Sequence, residues 1–240
     1  MGSKLHMSSA AIPQAHRAVG FYEASVGKKA VMAVTGVVLF GYVVGHLLGN
    51  LQIYSSDRDQ INRYAAFLHD PSLAAALWSV RVLLLAAVVV HITASVQLWN
   101  LKRAARPVGY VKKDDVPAAY AARTMMWSGP IIAAFVIFHV LHLTVGSVLP
   151  LEELGPTHPN VRANLINGFH HPAVAIFYIV AMLLLCLHLY HGLWSMFQSV
   201  GFSRPRFTAA LKRLAAVVAI AIAAGNISIP AAVMAGFLTN

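Results

Sequence analysis

The segment LLLCLHLYHGLWS (residues 183–195) lies within a long apolar stretch, yet it carries two histidines, His188 and His191. Such a stretch is typical of a helix that crosses a lipid bilayer, where an ionisable side chain is costly and usually functional. The whole chain is 58% hydrophobic and only 11% charged, whereas soluble domains carry about a quarter charged residues. The sequence therefore predicts a membrane protein whose buried imidazoles bind another group.

Four further apolar segments accompany the one that contains His188. Each is long enough to cross a hydrocarbon core about 30 Å thick, which needs about 20 helical residues. Since lipid offers no hydrogen bonds to the backbone, each span is expected to be a helix. The prediction is an all-α membrane protein with one domain over residues 1–240 and a short interfacial helix in the loop 150–172. The predicted spans are about 29–49, 74–99, 125–148, 173–197 and 210–237.

Lysine and arginine mark the orientation of the spans. They concentrate in segments 1–29, 102–123 and 204–213, whereas the other two loops hold few and are rich in acidic residues. Because positive loops stay on the cytoplasmic side, the N-terminus is expected in the cytoplasm and the C-terminus outside. The net charge of +10 is thus a signal of topology and does not indicate a nucleic-acid partner. The basic loops could also dock a protein partner or anionic membrane lipid.

Six histidines fall inside the predicted spans, and at least one is present in each of the first four. Neutral imidazoles in an apolar bundle favour a metal site, because imidazole is a common metal ligand. The spans contain no carboxylate, which argues against a proton relay. Hydrogen bonding between helices is the alternative for any single one of them. The six are His46, His91, His139, His142, His188 and His191.

Depth in the membrane separates four of these histidines into two pairs. With a rise of about 1.5 Å per residue, His46 and His139 fall in the outer half of the membrane. His91 and His188 fall in the inner half by the same reckoning. Two pairs at two depths suit two haems, each held by two imidazoles from facing helices, and do not suit a four-ligand zinc site.

Two spans each carry two histidines three residues apart, His139 with His142 and His188 with His191, and we call each such set a doublet. Spacing alone does not decide which histidine of a doublet is the ligand. His142 and His191 each follow a candidate by three residues and lie on a neighbouring face of the same helix. The spare imidazole could bond a backbone carbonyl, a haem propionate or water. Arg81 is the one cation within the second span. It is interpreted either as a propionate partner of the outer haem or as a side chain that extends to the lipid headgroups.

Several segments resemble one family of membrane anchors. SVGKKAVMAVTGVVLFGYVVGHLLGNLQIY (25–54) and INRYAAFLHDP (61–71) are similar to the cytochrome b anchor of succinate dehydrogenases that have a single anchor subunit and two haems. FVIFHVLHL (135–143) and LHLYHGLWSMFQ (187–198) resemble the third-span and fourth-span signatures of that family. The resemblance extends over all five spans.

The resemblance implies two haem b groups and assigns their ligands. By position, His46 pairs with His139 at the outer haem, and His91 pairs with His188 at the inner haem. The pairs agree with those obtained from depth. The resemblance also selects the first member of each doublet, which spacing could not do.

The resemblance further implies a respiratory enzyme of which this chain is one subunit. A flavoprotein subunit and an iron–sulfur subunit would dock on the cytoplasmic face of the cytoplasmic (inner) membrane. Electrons from succinate would pass through them to the inner haem, the outer haem and a membrane quinone, expected to be menaquinone. This chain itself would not bind succinate.

A quinone site is expected near the outer haem. His69 and Asp70 could transfer protons there, and Asn50 and Gln52 could hydrogen-bond a quinone carbonyl. The alternative is that all four are ordinary loop and helix-capping residues, because Asp70 precedes a proline in the manner of a turn or helix start.

Other functions remain open from the sequence. The anchor of a fumarate reductase, which works in the opposite direction, has the same features. A haem-free anchor would use the histidines only for bonds between helices, and a transporter would use them as proton carriers. A two-haem cytochrome of the ferric-reductase type also uses four helical histidines but lacks the N-terminal signature seen here.

Overall fold

A computed structural model describes residues 20–105, 117–154, 158–199, 201 and 204–239, with the backbone alone for 117–123. Helices make up nearly all of these ranges, and no β-strand occurs in them. The helices are α1 (Ser25–Asn50), α2 (Gln60–Leu68), α3 (Ala74–Ala104), α4 (Pro117–Val140), α5 (Val161–Phe169), α6 (Pro172–Ser199) and α7 (Pro205–Met234).

Five of these helices, α1, α3, α4, α6 and α7, are long and apolar enough to cross a membrane. The prediction of an all-α, multi-pass membrane protein with five spans is therefore confirmed. The helices extend beyond the predicted spans at several ends, and α3 continues through Lys102 and Arg103 to Ala104. Hydropathy marks the edge of the lipid, whereas a helix ends where its backbone hydrogen bonds end.

The predicted third span ends in an irregular turn. After α4, residues Leu141–Val145 form a π-helical turn that contains His142. Gly146 closes it with a φ of 74°, a left-handed conformation that glycine adopts without steric cost. π-Helical turns are rare and are frequently found at functional sites.

Helix α6 is the centre of the packing, because it contacts α1, α4, α5 and α7. The closest pairs of helices are α6 with α7, α1 with α3, and α4 with α6. On α7, Ala215, Ala219 and Ala223 are spaced four residues apart and are all buried. Small side chains on one helix face allow the close approach on which helix association in membranes depends.

A cap of short elements covers the end of the bundle where α1 ends and α3 begins. Following the predicted orientation, we call this the outer end. Helix α5 confirms the short helix expected in the third loop. Its Arg162 donates to the carbonyls of Ile53 (3.2 Å) and Thr239 (3.0 Å), and its backbone N–H donates to Asn62 Oδ1 (3.0 Å). The cap thus joins the first loop, the third loop and the C-terminal segment.

Candidate functional site

Two pairs of histidines from different helices meet inside the bundle. The rings of His46 on α1 and His139 on α4 have centroids 5.7 Å apart and are perpendicular. The rings of His91 on α3 and His188 on α6 have centroids 6.4 Å apart with an interplanar angle of 55°. These are the two pairs that the sequence predicts, although their role as ligands stays a prediction.

The second member of each doublet has different surroundings. His142 is buried and packs against the rings of Phe138, Phe169 and Tyr178. In the described part of the chain, the ring contact with His91 comes from His188 and not from His191. The first histidine of each doublet, His139 or His188, is therefore the one that meets a histidine of another helix.

The helices that carry each pair stand apart. Among the described residues, neither α1 with α4 nor α3 with α6 belongs to the closely packed helix pairs. Between these helices the imidazole rings approach each other at the separations given above. Two facing imidazoles between separated helices are the arrangement in which bundles hold a cofactor.

The ring separations suit coordination of one metal ion by each pair. With metal–nitrogen bonds of about 2 Å, imidazoles on opposite sides of a metal have centroids roughly 6 Å apart. The described residues contain no cluster of three or more His, Cys, Asp or Glu side chains that could hold a metal ion. Each candidate site therefore offers two imidazoles, the number that a haem iron takes when both of its axial ligands are histidine.

Thr35 is a hydrogen-bonding neighbour of one ring nitrogen of His91. Thr35 Oγ1 donates to the carbonyl of Val31 (2.9 Å) or Met32 (3.1 Å) and lies 3.1 Å from His91 Nδ1. A hydroxyl has only one proton, so when Thr35 donates to either carbonyl it accepts at its contact with His91. His91 is then protonated at Nδ1, and Nε2 has the lone pair that binds a metal.

Thr35→Val is expected to weaken the inner site, because the imidazole of His91 loses the acceptor that fixes its tautomer and orientation. Loss of such a partner typically costs roughly 10–100-fold in metal affinity. The measurement is the amount of the predicted inner haem that purified protein retains on dilution. Thr93→Val is the matched control, since Thr93 makes the same bond to a backbone carbonyl, that of Val89 (2.8 Å), on an exposed face. Equal retention in both variants would contradict the assignment.

His188 and His46 differ in their surroundings. Nδ1 of His188 is buried and has no hydrogen-bond partner among the described residues. A buried polar atom without a partner costs about 1–3 kcal/mol, and metal coordination of the ring is one way to offset such a cost. His46 stacks on the ring of Tyr42, with centroids 5.4 Å apart.

Tyr178 on α6 is a site residue that the sequence does not predict. Its hydroxyl lies 3.2 Å from Nδ1 of His139 and 2.9 Å from Nδ1 of His142. The tyrosine is buried, with 6% of its surface exposed. A tyrosine in an apolar span next to a candidate histidine helix is the only signal the sequence offers, and many packing tyrosines share it.

Arg81 lies on α3 near the outer end. Its guanidinium stacks over the ring of Trp78 at 5.0 Å from the centroid. Tryptophan is typical of the membrane interface, so this contact fits a cation near the headgroups. The interpretation as a propionate partner stays a prediction.

The four candidate quinone residues lie in the outer loops and helix ends. Asp70 accepts from the backbone N–H (2.8 Å) and the hydroxyl (2.5 Å) of Ser72. These bonds hold the pKa of Asp70 below its usual range, so it is ionised at neutral pH and acts as a helix cap.

Nδ1 of His69 lies 2.8 Å from the carbonyl of Ala65. Asn50 ends α1 and Gln52 lies in the following 3₁₀ turn. Their role in quinone binding stays a prediction.

A cavity of about 250 Å³ lies at the outer end beside the π-helical turn. It reaches the buried ring of His142 and is lined mainly by the third loop and α5, including Glu152, Asn164 and Gly168. A Cβ atom at Gly168 would lie 2.7 Å from Cε1 and Nε2 of His142. Glycine is therefore required where α5 passes over this imidazole.

No family model, no curated protein and no solved structure matches the chain.

Proposed function

We propose that the chain is the two-haem cytochrome b anchor of a succinate:quinone oxidoreductase in the cytoplasmic membrane. The observation that carries the proposal is the pair of histidine contacts, His46 with His139 and His91 with His188, on helices that are not among the closely packed pairs of the described residues. The resemblance of the first, third and fourth spans to such anchors supplies the choice of enzyme.

The residues present fit two haems. Each pair offers two imidazoles at a separation of 5.7 or 6.4 Å, and the bond between Thr35 and His91 leaves Nε2 of His91 free to bind. A bound haem supplies one-electron oxidation and reduction of its iron, and its potential depends on ligands and surroundings. The chain's part is to hold the ligands, exclude water and keep the two sites at different depths.

The anchor role requires partners on the cytoplasmic face. A flavoprotein subunit and an iron–sulfur subunit would oxidise succinate there, and the basic loops at that end are suited to docking them. Membrane quinone, expected to be menaquinone, would accept the electrons. Whether the assembly works as a fumarate reductase depends on the quinone potential and not on the features of this chain.

Affinity purification of the full-length chain from its native membrane tests the proposal. The expected result is a complex that contains a flavin-bearing subunit and an iron–sulfur subunit, oxidises succinate and reduces a menaquinone analogue. Co-purification of subunits that do not oxidise succinate or reduce fumarate would overturn the choice of enzyme. A complex with those subunits but without haem would indicate the haem-free anchor.

A further inference from the structure

The hydroxyl of Tyr178 lies between two histidines of the same doublet. It is 3.2 Å from Nδ1 of His139 and 2.9 Å from Nδ1 of His142. His142 is 1% exposed, and its ring borders the cavity at the outer end. The three side chains form one hydrogen-bonded unit whose protons must be arranged consistently.

Counting protons leaves few arrangements for this unit. A tyrosine hydroxyl donates one hydrogen bond, and a neutral imidazole carries one N–H. If His139 binds iron through Nε2, its proton is on Nδ1, and His139 donates to Tyr178. The hydroxyl proton of Tyr178 then has Nδ1 of His142 as its acceptor among the described residues. His142 is consequently protonated on Nε2.

We propose that Tyr178 is a positioning residue for the outer haem, and that His142 serves to orient the hydroxyl of Tyr178 and is not itself a ligand. The inference rests on the proposed function, because it takes His139 as a haem ligand. It assigns a role to the spare histidine of the third span. The direction of both hydrogen bonds follows from taking Nε2 of His139 as the atom that binds iron.

Packing holds the unit in this arrangement. Tyr178 is enclosed edge-on by Phe135 and Phe169, with ring centroids 4.9 Å away in both cases. Gly168 approaches the far side of the His142 ring so closely that a Cβ would clash with it. The tyrosine and the imidazole of His142 therefore have little room to turn away from His139.

A hydrogen bond from Nδ1–H makes an imidazole a more basic ligand. A more basic ligand favours the oxidised iron and lowers the reduction potential. The two sites use different acceptors for this purpose, Tyr178 for His139 and Thr35 for His91. Replacement of Tyr178 is thus expected to change the reduction potential of the outer haem and to leave the reduction potential of the inner haem unchanged.

The test is Tyr178→Phe in the full-length chain within its purified complex, with separate redox titrations of the two haems. The expected result is a haem-containing complex in which the outer potential rises and the inner potential is unchanged. Each tenfold loss of affinity confined to the oxidised form raises the potential by about 59 mV. Tyr54→Phe is the matched control, since it removes a tyrosine hydroxyl bonded to Ser228 (2.9 Å) away from the histidines.

Two variants of His142 complete the test and keep it decisive if Tyr178→Phe does not assemble. His142→Phe is expected to shift the outer potential in the same direction by a smaller amount, and His142→Gln, which restores an acceptor, to reverse most of that shift. Combined with Tyr178→Phe, His142→Phe is expected to add nothing further. Loss of the outer haem from His142→Phe, or an outer potential in Tyr178→Phe equal to that of Tyr54→Phe, would overturn the inference. Absence of haem from the wild-type complex would instead contradict the proposed function.

Discussion

Replacement of His46 or His139 with alanine is expected to remove the outer haem and leave much of the inner haem in place. Each outer ligand comes from a different helix, so loss of either imidazole leaves the iron with one protein ligand. The nearby His142 is not expected to substitute, because its Nδ1 faces Tyr178 and its ring does not meet His46 among the described contacts. The haem-to-protein ratio of purified protein should fall by about half.

The control for this experiment is His69→Ala, since His69 is an exposed loop histidine at the same end of the bundle. It should retain both haems. Added imidazole should restore part of the outer haem in His46→Gly and His139→Gly, because the free ligand can fill the space that the side chain leaves. Equal loss of both haems from each single variant would contradict two separate sites.

Replacement of His91 or His188 with alanine is expected to have the converse effect, with loss of the inner haem and partial retention of the outer one. Electron delivery from succinate should then stop, because the remaining haem would lie far from the proposed cytoplasmic subunits. The measurement combines the haem-to-protein ratio with succinate-driven reduction of the remaining haem. His191→Ala is the matched control on α6 and should retain both haems.

Retention of the inner haem in His188→Ala together with its loss in His191→Ala would contradict the assignment. That outcome would show that the second histidine of the α6 doublet is the ligand. Retention of the inner haem in His91→Ala would remove the basis for expecting Thr35 to influence the inner site.

The five spans could be predicted from sequence because the lipid imposes a minimum length of apolar helix. The histidine pairs could be predicted as well, since the constant rise of a helix converts sequence position into depth. Helix α2 was not predicted. It has only nine residues, and a short helix in a polar loop has no length signal to distinguish it from irregular chain.

The distinction between first and second histidines of each doublet could not be derived from spacing. Residues three positions apart on a helix differ in direction by only a fraction of a turn, and the rotation of each helix about its axis is set by its neighbours. The structure provides that rotation through the packing of α4 on α6. The same packing brings Tyr178 to His139 across a separation of 39 residues.

The hydrogen bonds made by the histidines could not be predicted from the sequence either. Thr35 belongs to a recognisable N-terminal motif, but its contact with His91 joins residues 56 positions apart. Hydroxyl groups in membrane spans usually bond their own helix, as Thr93 does. Only tertiary contact shows which hydroxyl meets an imidazole. In this chain the hydroxyl of Thr35 meets Nδ1 of His91.

The central claim is that paired imidazoles of this chain hold iron porphyrin inside the membrane. The most direct measurement is the reduced-minus-oxidised absorption spectrum of the purified complex, with haem and protein quantified on the same sample. The expected result is two low-spin, six-coordinate b-type haems for each copy of this chain. A complex that contains the chain in stoichiometric amount but shows no haem absorption would contradict the claim.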